Sequence, residues 1–257
     1  AFDVQLIVED DFACKDTLIL VDLVSIFGPT GDFTFTENVI CKDDDVEFIA
    51  NVQNTDLYLW DFGDGFFSTD SNPTHTYTSG NYFHPILIIE NSSSCQLILP
   101  SEDSIQVIEI IVDAGNDNII CYGDSIGVIA NGNGTNYVWD NSPYITDLNS
   151  FSPVMFPTTS TMFYVTSSDG ICFARDSVLI EVQDLEADFV SSSVSSNCPP
   201  LMSNFTNQSS GNIVHYTWDF GDGQTSNQSD PSHLYTYSDA FDVQLIVEDD
   251  FACKDTL

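Results

Sequence analysis

The sequence predicts an all-β protein of three tandem β-sandwich modules within a repeat period of 239 residues. Trp60, Trp139 and Trp218 follow one another at intervals of 79 residues, which indicates three modules that each bury one aromatic anchor. Residues 1–18 recur letter for letter at 240–257, an offset of three modules. No stretch shows helical spacing of apolar residues over three turns, whereas strand-like alternation is frequent.

Two short motifs are shared by the first and third modules. Trp-Asp-Phe-Gly-Asp-Gly occupies 60–65 and 218–223; its aromatic residues alternate with Asp as in a half-buried strand, and its glycines suit a tight hairpin. Pro-Ser/Thr-His-x-Tyr follows at 73–77 and 231–235, with His and Tyr on one face of the next strand. Histidines that recur with the fold in this way are expected to be structural.

Together these motifs resemble the PKD (polycystic kidney disease) domain, an Ig-like β-sandwich. The resemblance implies PKD-like modules at 30–112 and 185–257, and makes residues 1–29 the end of a PKD-like module from a preceding repeat. The middle module, 113–184, lacks the Phe-Gly-Asp-Gly turn but keeps Trp139. It resembles the Ig-like modules that alternate with PKD domains in giant extracellular adhesins of Bacteroidota.

The terminal duplication leaves two interpretations open. Modules that differ within a period but are identical between periods indicate duplication of the whole triplet, so the favoured interpretation is a segment of a longer covalent array. Alternatively, residues 1–18 complete the unfinished sandwich of a neighbouring chain by strand exchange, which gives a non-covalent polymer. In both cases the expected partners are copies of the chain itself.

The charge excludes several classes of partner. Asp and Glu number 40 against four Lys and Arg, a formal net charge of −36, which argues against nucleic acid and anionic membranes. The apolar content of 42% is ordinary and predicts a folded chain. No run of 18 apolar residues occurs, so no membrane span is expected.

The seven cysteines reduce to two per module, because Cys253 is the copy of Cys14. Their spacing brackets each module's tryptophan in the same way and predicts three bonds within modules, with Cys14 bonded to the equivalent of Cys198 in the preceding repeat. The predicted bonds are Cys41–Cys95, Cys121–Cys172 and Cys198–Cys253. Disulfides imply export, so we expect an extracellular or cell-surface protein.

Catalysis finds no support, because no nucleophile elbow, zinc-protease helix or phosphate loop is present; the chain is not expected to be an enzyme. Calcium is the one cofactor for which the sequence offers ligands. The candidate ligands are Asp43, Asp44, Asp45, Asp113 and Asp117. They do not follow EF-hand spacing, and the alternative is a solvated acidic surface.

Five hydroxyl residues stand between an Asp and an apolar residue. They are Thr17, Ser104, Ser125, Ser177 and Thr256. The pattern resembles the O-glycosylation motif of exported Bacteroidota proteins. The alternative is that Asp-Ser/Thr is a sequence for turning into a strand.

These observations lead us to expect a structural protein, a segment of a long extracellular fibre or repetitive surface adhesin. Disulfide-locked sandwiches would act as spacers, and glycans or other cell surfaces are further candidate partners. The alternative function is a carbohydrate- or protein-binding accessory region of a secreted hydrolase.

Overall fold

A computed structural model describes residues 1–24, 27–192, 195–196 and 198–257, so parts of the predicted segments 1–29 and 185–257 lie outside it. The described residues are strands, turns and irregular segments without a helix, which confirms the all-β prediction. They form two compact units, Ala1–Glu109 and Ile110–Leu257.

The first unit begins with an isolated hairpin. Strands β1 (Phe2–Glu9) and β2 (Lys15–Val24) pair antiparallel, and the described residues add no third strand to their sheet. The alternation of apolar residues in β1 predicts one buried face, but every residue of the hairpin is exposed. Leu6 and Val8, for example, are 56% and 52% exposed.

The first sandwich follows and packs around Trp60. Its core holds two side chains of the closing strand, Ile105 and Val107. That strand lies between a parallel and an antiparallel neighbour in the sheet β4-β12-β9, beside the sheets β3-β5-β8 and β7-β6-β10-β11. The strands are β3 (Thr30–Phe35), β4 (Val39–Cys41), β5 (Asp45–Gln53), β6 (Leu57–Asp61), β7 (Phe67–Ser68), β8 (Thr74–Thr76), β9 (Asn81–Phe83), β10 (Ile86–Glu90), β11 (Gln96–Pro100) and β12 (Ile105–Ile108).

The second unit opens with the middle sandwich, which packs around Trp139. Its strands are β13 (Val112–Asp113), β14 (Asn118–Cys121), β15 (Ile126–Gly127), β16 (Asn131–Gly132), β17 (Asn136–Trp139), β18 (Val154–Met155), β19 (Thr161–Ser168) and β20 (Phe173–Gln183). The main sheet has the order β14-β20-β19-β17. Its closing strand β20 pairs antiparallel with β19 up to Ile180 and then parallel with β14 up to Gln183.

The third sandwich packs around Trp218. Its strands are β21 (Phe189–Ser191), β22 (Leu201–Asn207), β23 (His215–Asp219), β24 (Thr225–Ser226), β25 (Ser232–Tyr235), β26 (Gln244–Glu248) and β27 (Lys254–Thr256). The sheets β21-β22-β25 and β24-β23-β26-β27 correspond to β3-β5-β8 and β7-β6-β10-β11 of the first sandwich. Among the described residues no sheet corresponds to β4-β12-β9, and no strand occupies the place of β12.

The three tryptophans fix the cores in the same way. Each is at most 2% exposed, and each indole Nε1–H donates to a backbone carbonyl at 2.9 Å, so the buried polar atom is satisfied. The acceptors are Asp70, Ser150 and Gln228, respectively. In the two PKD-like sandwiches a phenylalanine edge also meets the indole, Phe33 at 5.1 Å and Phe189 at 4.9 Å between centroids.

The second Gly-Asp-Gly hairpin provides a matched test of packing at a turn. Gly221 and Gly223 have φ of 80° and 88°, so alanine at either site carries the positive-φ cost of about 1–2 kcal/mol. A Cβ on Gly221 would lie 2.4 Å from the carbonyl oxygen of Asp242, whereas a Cβ on Gly223 meets nothing within 4 Å. We expect Gly221→Ala to lower the free energy of unfolding by at least about 1 kcal/mol more than Gly223→Ala, measured by urea denaturation. Equal losses would contradict this packing.

Candidate functional site

The recurring His and Tyr form a closed polar cluster behind each Gly-Asp-Gly turn. His75 Nε2 lies 2.7 Å from Asp64 Oδ2, and its ring stacks on Phe62 at 4.0 Å between centroids. The hydroxyl of Tyr77 donates to the Phe62 carbonyl at 3.0 Å. Burial, with the nearby Asp64 carboxylate, raises the pKa of Tyr77. These polar groups bind one another, so the cluster is a structural element of the turn.

The third sandwich repeats the cluster with His233, Asp222, Phe220 and Tyr235. His233 Nε2 lies 2.8 Å from Asp222 Oδ2, and the Gln224 amide donates to Asp222 Oδ1 at 3.0 Å. Burial alone would raise the pKa of Asp222, but these two hydrogen bonds and the charge of the imidazole outweigh burial and lower it.

This balance predicts a pH dependence. A carboxyl whose pKa is lower in the folded state stabilises the fold above its unfolded pKa of about 4 and loses that contribution as the pH falls through the folded pKa. We expect Asp222→Asn to flatten the loss of unfolding free energy below pH 4, measured by urea denaturation from pH 7 to pH 2.5. Asp250→Asn, at an exposed position, is the control, and equal slopes for the two variants would contradict the assignment.

One set of cysteines lies in hairpin turns, each held by the side chain of an Asp or Asn. In the third sandwich Asp249 Oδ1 accepts from the amides of Phe251 and Cys253 at 2.9 Å. The same two hydrogen bonds, to the Cys itself and to a preceding amide, occur in the other three turns. The turn cysteines are Cys14, Cys95, Cys172 and Cys253.

The other set stands at the end of the strand that runs parallel to the closing strand. Cys41 ends β4 and Cys121 ends β14. Two residues after each cysteine, at Asp43 and Gly123, the chain turns with a positive φ. The amide of the next residue donates to the cysteine carbonyl, from Asp44 at 3.1 Å and from Asp124 at 3.0 Å. Cys198 is the third member by sequence and is followed by a cis Pro199–Pro200 bond.

The structure contradicts all three predicted disulfides. Cys121 is bonded to Cys253, with 5.3 Å between their Cα atoms, and Cys95 and Cys198 are exposed free thiols. The predicted pairings Cys121–Cys172, Cys198–Cys253 and Cys41–Cys95 are therefore wrong. Cys14 is a free, exposed thiol, and its bond to a preceding repeat stays a prediction.

The geometry of the middle sandwich explains the error. Cys121 pairs with Gln183, the last residue of β20, whereas Cys172 directly precedes the first residue of that strand. The strand has 11 residues, which span roughly 36 Å at 3.3 Å per residue. Disulfides require Cα atoms about 4.4–6.8 Å apart, so Cys121 and Cys172 lie at opposite ends of the middle sandwich and cannot bond to each other.

The observed bond instead joins two successive sandwiches across their linker. Cys121 lies beside Gln183, where the middle sandwich ends. Cys253 is two residues from Asp255, whose Oδ2 accepts from the amide of Ala187, where the third sandwich begins, at 2.7 Å. The disulfide therefore restrains the short connection 184–186 from the side.

The duplicated sequence gives a control for this bond, because Cys14 and Cys253 sit in identical 18-residue surroundings. We expect Cys253→Ser to lower the thermal midpoint of unfolding, with a loss of up to about 5 kcal/mol on the chain-entropy model for a bond that spans more than 100 residues. Cys14→Ser should leave the midpoint unchanged. Differential scanning calorimetry measures both midpoints. Equal midpoints for Cys253→Ser and Cys14→Ser would contradict a stabilising role for the Cys121–Cys253 bond.

The two copies of the repeated segment differ sharply in burial. Leu6 and Val8 are exposed, while their copies Leu245 and Val247 are fully buried against the third sandwich. The turn and the pairing register are the same in both, as Val8 pairs with Asp16 and Val247 with Asp255. Residues 1–18 are thus a preformed copy of a hairpin that belongs inside a sandwich.

The third sandwich carries an open groove of about 630 Å³ where its closing strand is absent. One wall includes Ser195, Ser196 and Cys198, and the other includes Asp239, Ala240 and Phe241. By their spacing from Cys198 and Tyr235 these walls correspond to β4 and β9, which flank β12 in the first sandwich. The floor is apolar and is lined by Phe189, Leu201, Phe205, Tyr235, Phe241 and Val243.

Four of the five candidate calcium ligands accept hydrogen bonds from the protein itself. Asp44 Oδ2 accepts from the Cys41 amide, Asp113 Oδ1 from Gly115 and Asp117 Oδ1 from Leu179. Asp45 binds the Thr76 hydroxyl, and Asp43 adopts a positive φ. Within the described ranges no three His, Cys, Asp or Glu side chains converge as a metal site. Calcium binding stays a prediction.

The Asp residues of the glycosylation candidates have a structural role in two modules. Asp176, before Ser177, accepts from the amide of Ala114 at 2.7 Å, as Asp255, before Thr256, does from Ala187. Each carboxylate thereby holds the first residues of its own sandwich. Thr17, Ser125 and Thr256 are exposed, whereas Ser104 and Ser177 are half-buried. Glycosylation of these five residues stays a prediction.

The few basic side chains are all paired with carboxylates. The pairs are Lys15–Glu9, Lys42–Glu109, Arg175–Asp140 and Lys254–Glu248, at 2.5–3.3 Å. None of the four is therefore left to form a basic patch for a polyanion. The part of the chain that the structure describes contains no helix long and apolar enough to cross a membrane.

Comparison with known proteins finds short stretches of similarity in large enzymes. The chain is 45% identical over 56 residues to the pre-pro-metalloprotease PrtV of Vibrio cholerae serotype O1, a match that covers 22% of this chain and 6% of that protein. It is 52% identical over 40 residues to collagenase ColQ1 of Bacillus cereus, covering 16% and 4%. The chain thus spans only a small fraction of these relatives.

Among solved structures, the I-band fragment I67–I69 of titin resembles the chain with a TM-score of 0.42 at 10% identity, over 90% of this chain and 97% of that fragment. The three N-terminal domains of the bacteriophage RB49 outer capsid protein Hoc give a TM-score of 0.38 at 13% identity, over 89% and 96%. The family model of the PKD domain matches residues 28–107 and 187–256. These matches cover more than half of the chain, which therefore belongs to the PKD domain family.

Proposed function

We propose that the chain is a structural segment of a long extracellular fibre or repetitive surface adhesin, in which β-sandwich spacers are joined head to tail. The observation that carries the proposal is the complementarity of its two ends. The hairpin 1–24 is a sandwich edge without a sandwich, and the third sandwich has an open groove where a closing strand belongs.

The segment that fits the groove follows directly on the repeated hairpin. Asp16-Thr17-Leu18 matches Asp103-Ser104-Ile105, so Leu18 and Leu20 occupy the positions of Ile105 and Val107. Those two side chains are 0% and 4% exposed in the first sandwich. We assign the strand 18–24 of a second copy of the repeat as the occupant of the groove.

Exchange between copies exposes residues 240–257 of one copy and buries the identical residues 1–18 of another, so its net gain is the burial of the strand that follows; the Cys121–Cys253 bond has to be reduced first. Residues 1–18 replace the identical residues 240–257, with the same turn and register, and residues 19–24 then add the missing strand. Burying one leucine contributes about 1.5–3 kcal/mol. In a covalent array the same strand is supplied by the next repeat of the same chain.

The remaining features suit a spacer. The disulfide between the second and third sandwiches limits bending at their linker. The formal charge of −36 keeps parallel segments apart through mutual repulsion. The disulfide supports an oxidising location outside the cytoplasm, where such bonds persist.

The groove assignment predicts the behaviour of two neighbouring substitutions. Under reducing conditions we expect the 257-residue chain to associate head to tail, and Leu20→Gln to weaken association by roughly tenfold or more, because one buried leucine is worth about 1.5–3 kcal/mol. Ile19→Gln is the control, since the matching position carries the half-exposed Gln106. Sedimentation velocity measures both, and equal association of the two variants would refute the groove as the joint.

The mass of native material under reducing, denaturing conditions separates the two forms of the fibre. A mass of several 239-residue periods establishes a covalent array. A mass near 28.4 kDa, with association of the native chain, establishes strand exchange. A chain of that mass that stays monomeric would overturn the fibre proposal.

A second candidate function is a binding accessory region of a secreted hydrolase. It is favoured by the similarity to a metalloprotease and a collagenase over 56 and 40 residues. Exposed Phe66 and Phe67 at the first Gly-Asp-Gly hairpin offer an apolar contact that the third sandwich lacks, where Gln224 and Thr225 take their places. Saturable binding to collagen or polysaccharide, lost in Phe67→Ala, would support this function instead.

A further inference from the structure

We infer that Cys198 forms a disulfide with the Cys95 of another copy of the repeat, and so staples the third sandwich of one period to the first sandwich of the next. The inference rests on the proposed head-to-tail function and adds a covalent joint to it. Its starting point is the Cys121–Cys253 bond, which already joins one sandwich to its successor.

Cys95 is built like Cys253, the turn cysteine of that bond. Asn91 Oδ1 accepts from the amides of Ser93 and Cys95 at 3.0 Å, as Asp249 does from Phe251 and Cys253. The Asn91 amide in turn donates to the Cys95 carbonyl at 3.1 Å. The first sandwich therefore presents a free thiol on an exposed hairpin turn. This turn has the same hydrogen bonds as the turn of the third sandwich, whose cysteine is bonded.

Cys198 holds the position of Cys121, the strand-end cysteine of that bond. Cys198 lines the groove wall that corresponds to β4, the strand beside the closing strand of the first sandwich. Cys121 lies in the same way beside the closing strand β20 of the middle sandwich. The Cys198 thiol is exposed and free. When the groove is filled, Cys198 stands at the end of the third sandwich from which the chain leaves.

The spacing along the sequence supports the same pairing. Cys121 and Cys253 are separated by 132 residues. One period after Cys95, the corresponding cysteine lies 136 residues beyond Cys198, because the repeat offset is 239 residues. Both bonds thus step from one sandwich to the next over almost the same length of chain. Within a single copy, Cys95 and Cys198 belong to non-successive sandwiches.

Formation of the bond requires an oxidant. Two thiols lose two protons and two electrons to become one disulfide, and a small external disulfide accepts them and leaves as two thiols. Such disulfides act through a mixed-disulfide intermediate in oxidising compartments. Both reacting thiols are exposed, as this attack requires.

Peptide mapping of native material without reduction tests the inference. The expected result is one cross-linked peptide pair that contains Cys198 and Cys95. A covalent array or an associating chain in which these cysteines are found free, or bonded elsewhere, would overturn the inference and leave the fibre function standing. A chain that neither associates nor forms an array would overturn both.

Variants of the 257-residue chain give a second test. In a Cys14→Ser background, which removes the other exposed turn thiol, the chain is first allowed to associate in reducing buffer, and we expect subsequent transfer to oxidised glutathione to give disulfide-linked oligomers on non-reducing gels. Cys95→Ser and Cys198→Ser should each abolish them alone, while a mixture of the two variants restores a dimer. Dimers of either variant alone, or none in the mixture, would refute the pairing. Sedimentation in reducing buffer shows whether each variant still associates.

Discussion

The architecture of the protein depends on the closing strand of each sandwich. In the middle sandwich this strand, β20, runs the length of the module and pairs with β19 along its first part and with β14 along its last. It buries Val178 and Ile180 and delivers the chain to the next module. Where the strand is absent, in the third sandwich, an apolar groove remains. A module is complete only when the segment that leads to its successor is in place.

The same strand decides where covalent bonds can form. Because Cys172 directly precedes β20 and Cys121 lies beside its end, the length of this strand separates the two cysteines of the middle sandwich, and Cys121 bonds to Cys253 of the adjoining sandwich. Regular spacing around a tryptophan indicates two cysteines per module, but spacing carries no information about which end of the module each cysteine occupies. The recognisable signal is that the first cysteine ends a strand parallel to the closing strand, and that the second sits in an Asp- or Asn-stabilised turn before it.

The sequence was sufficient for the elements whose side chains act locally. Trp60 and Trp218, the glycines after them and the His-Tyr pairs identified the fold, because each satisfies its own turn and core through residues within about 15 positions. The exposure of β1 could not be read from its alternation, since an identical sequence is buried at Leu245 and Val247. Burial of that hairpin is set by the strands beside it and not by its own residues.

This dependence would give the proposed fibre its polarity. In the proposed fibre, the unburied hairpin of one copy and the open groove of another combine in one direction, so copies add head to tail and a symmetric dimer is not an alternative. The paired basic residues add no competing attraction between flanks, and the acidic surface repels parallel copies. In the proposed fibre, the closing strand would therefore give the joint its specificity, and the negative charge would oppose lateral association.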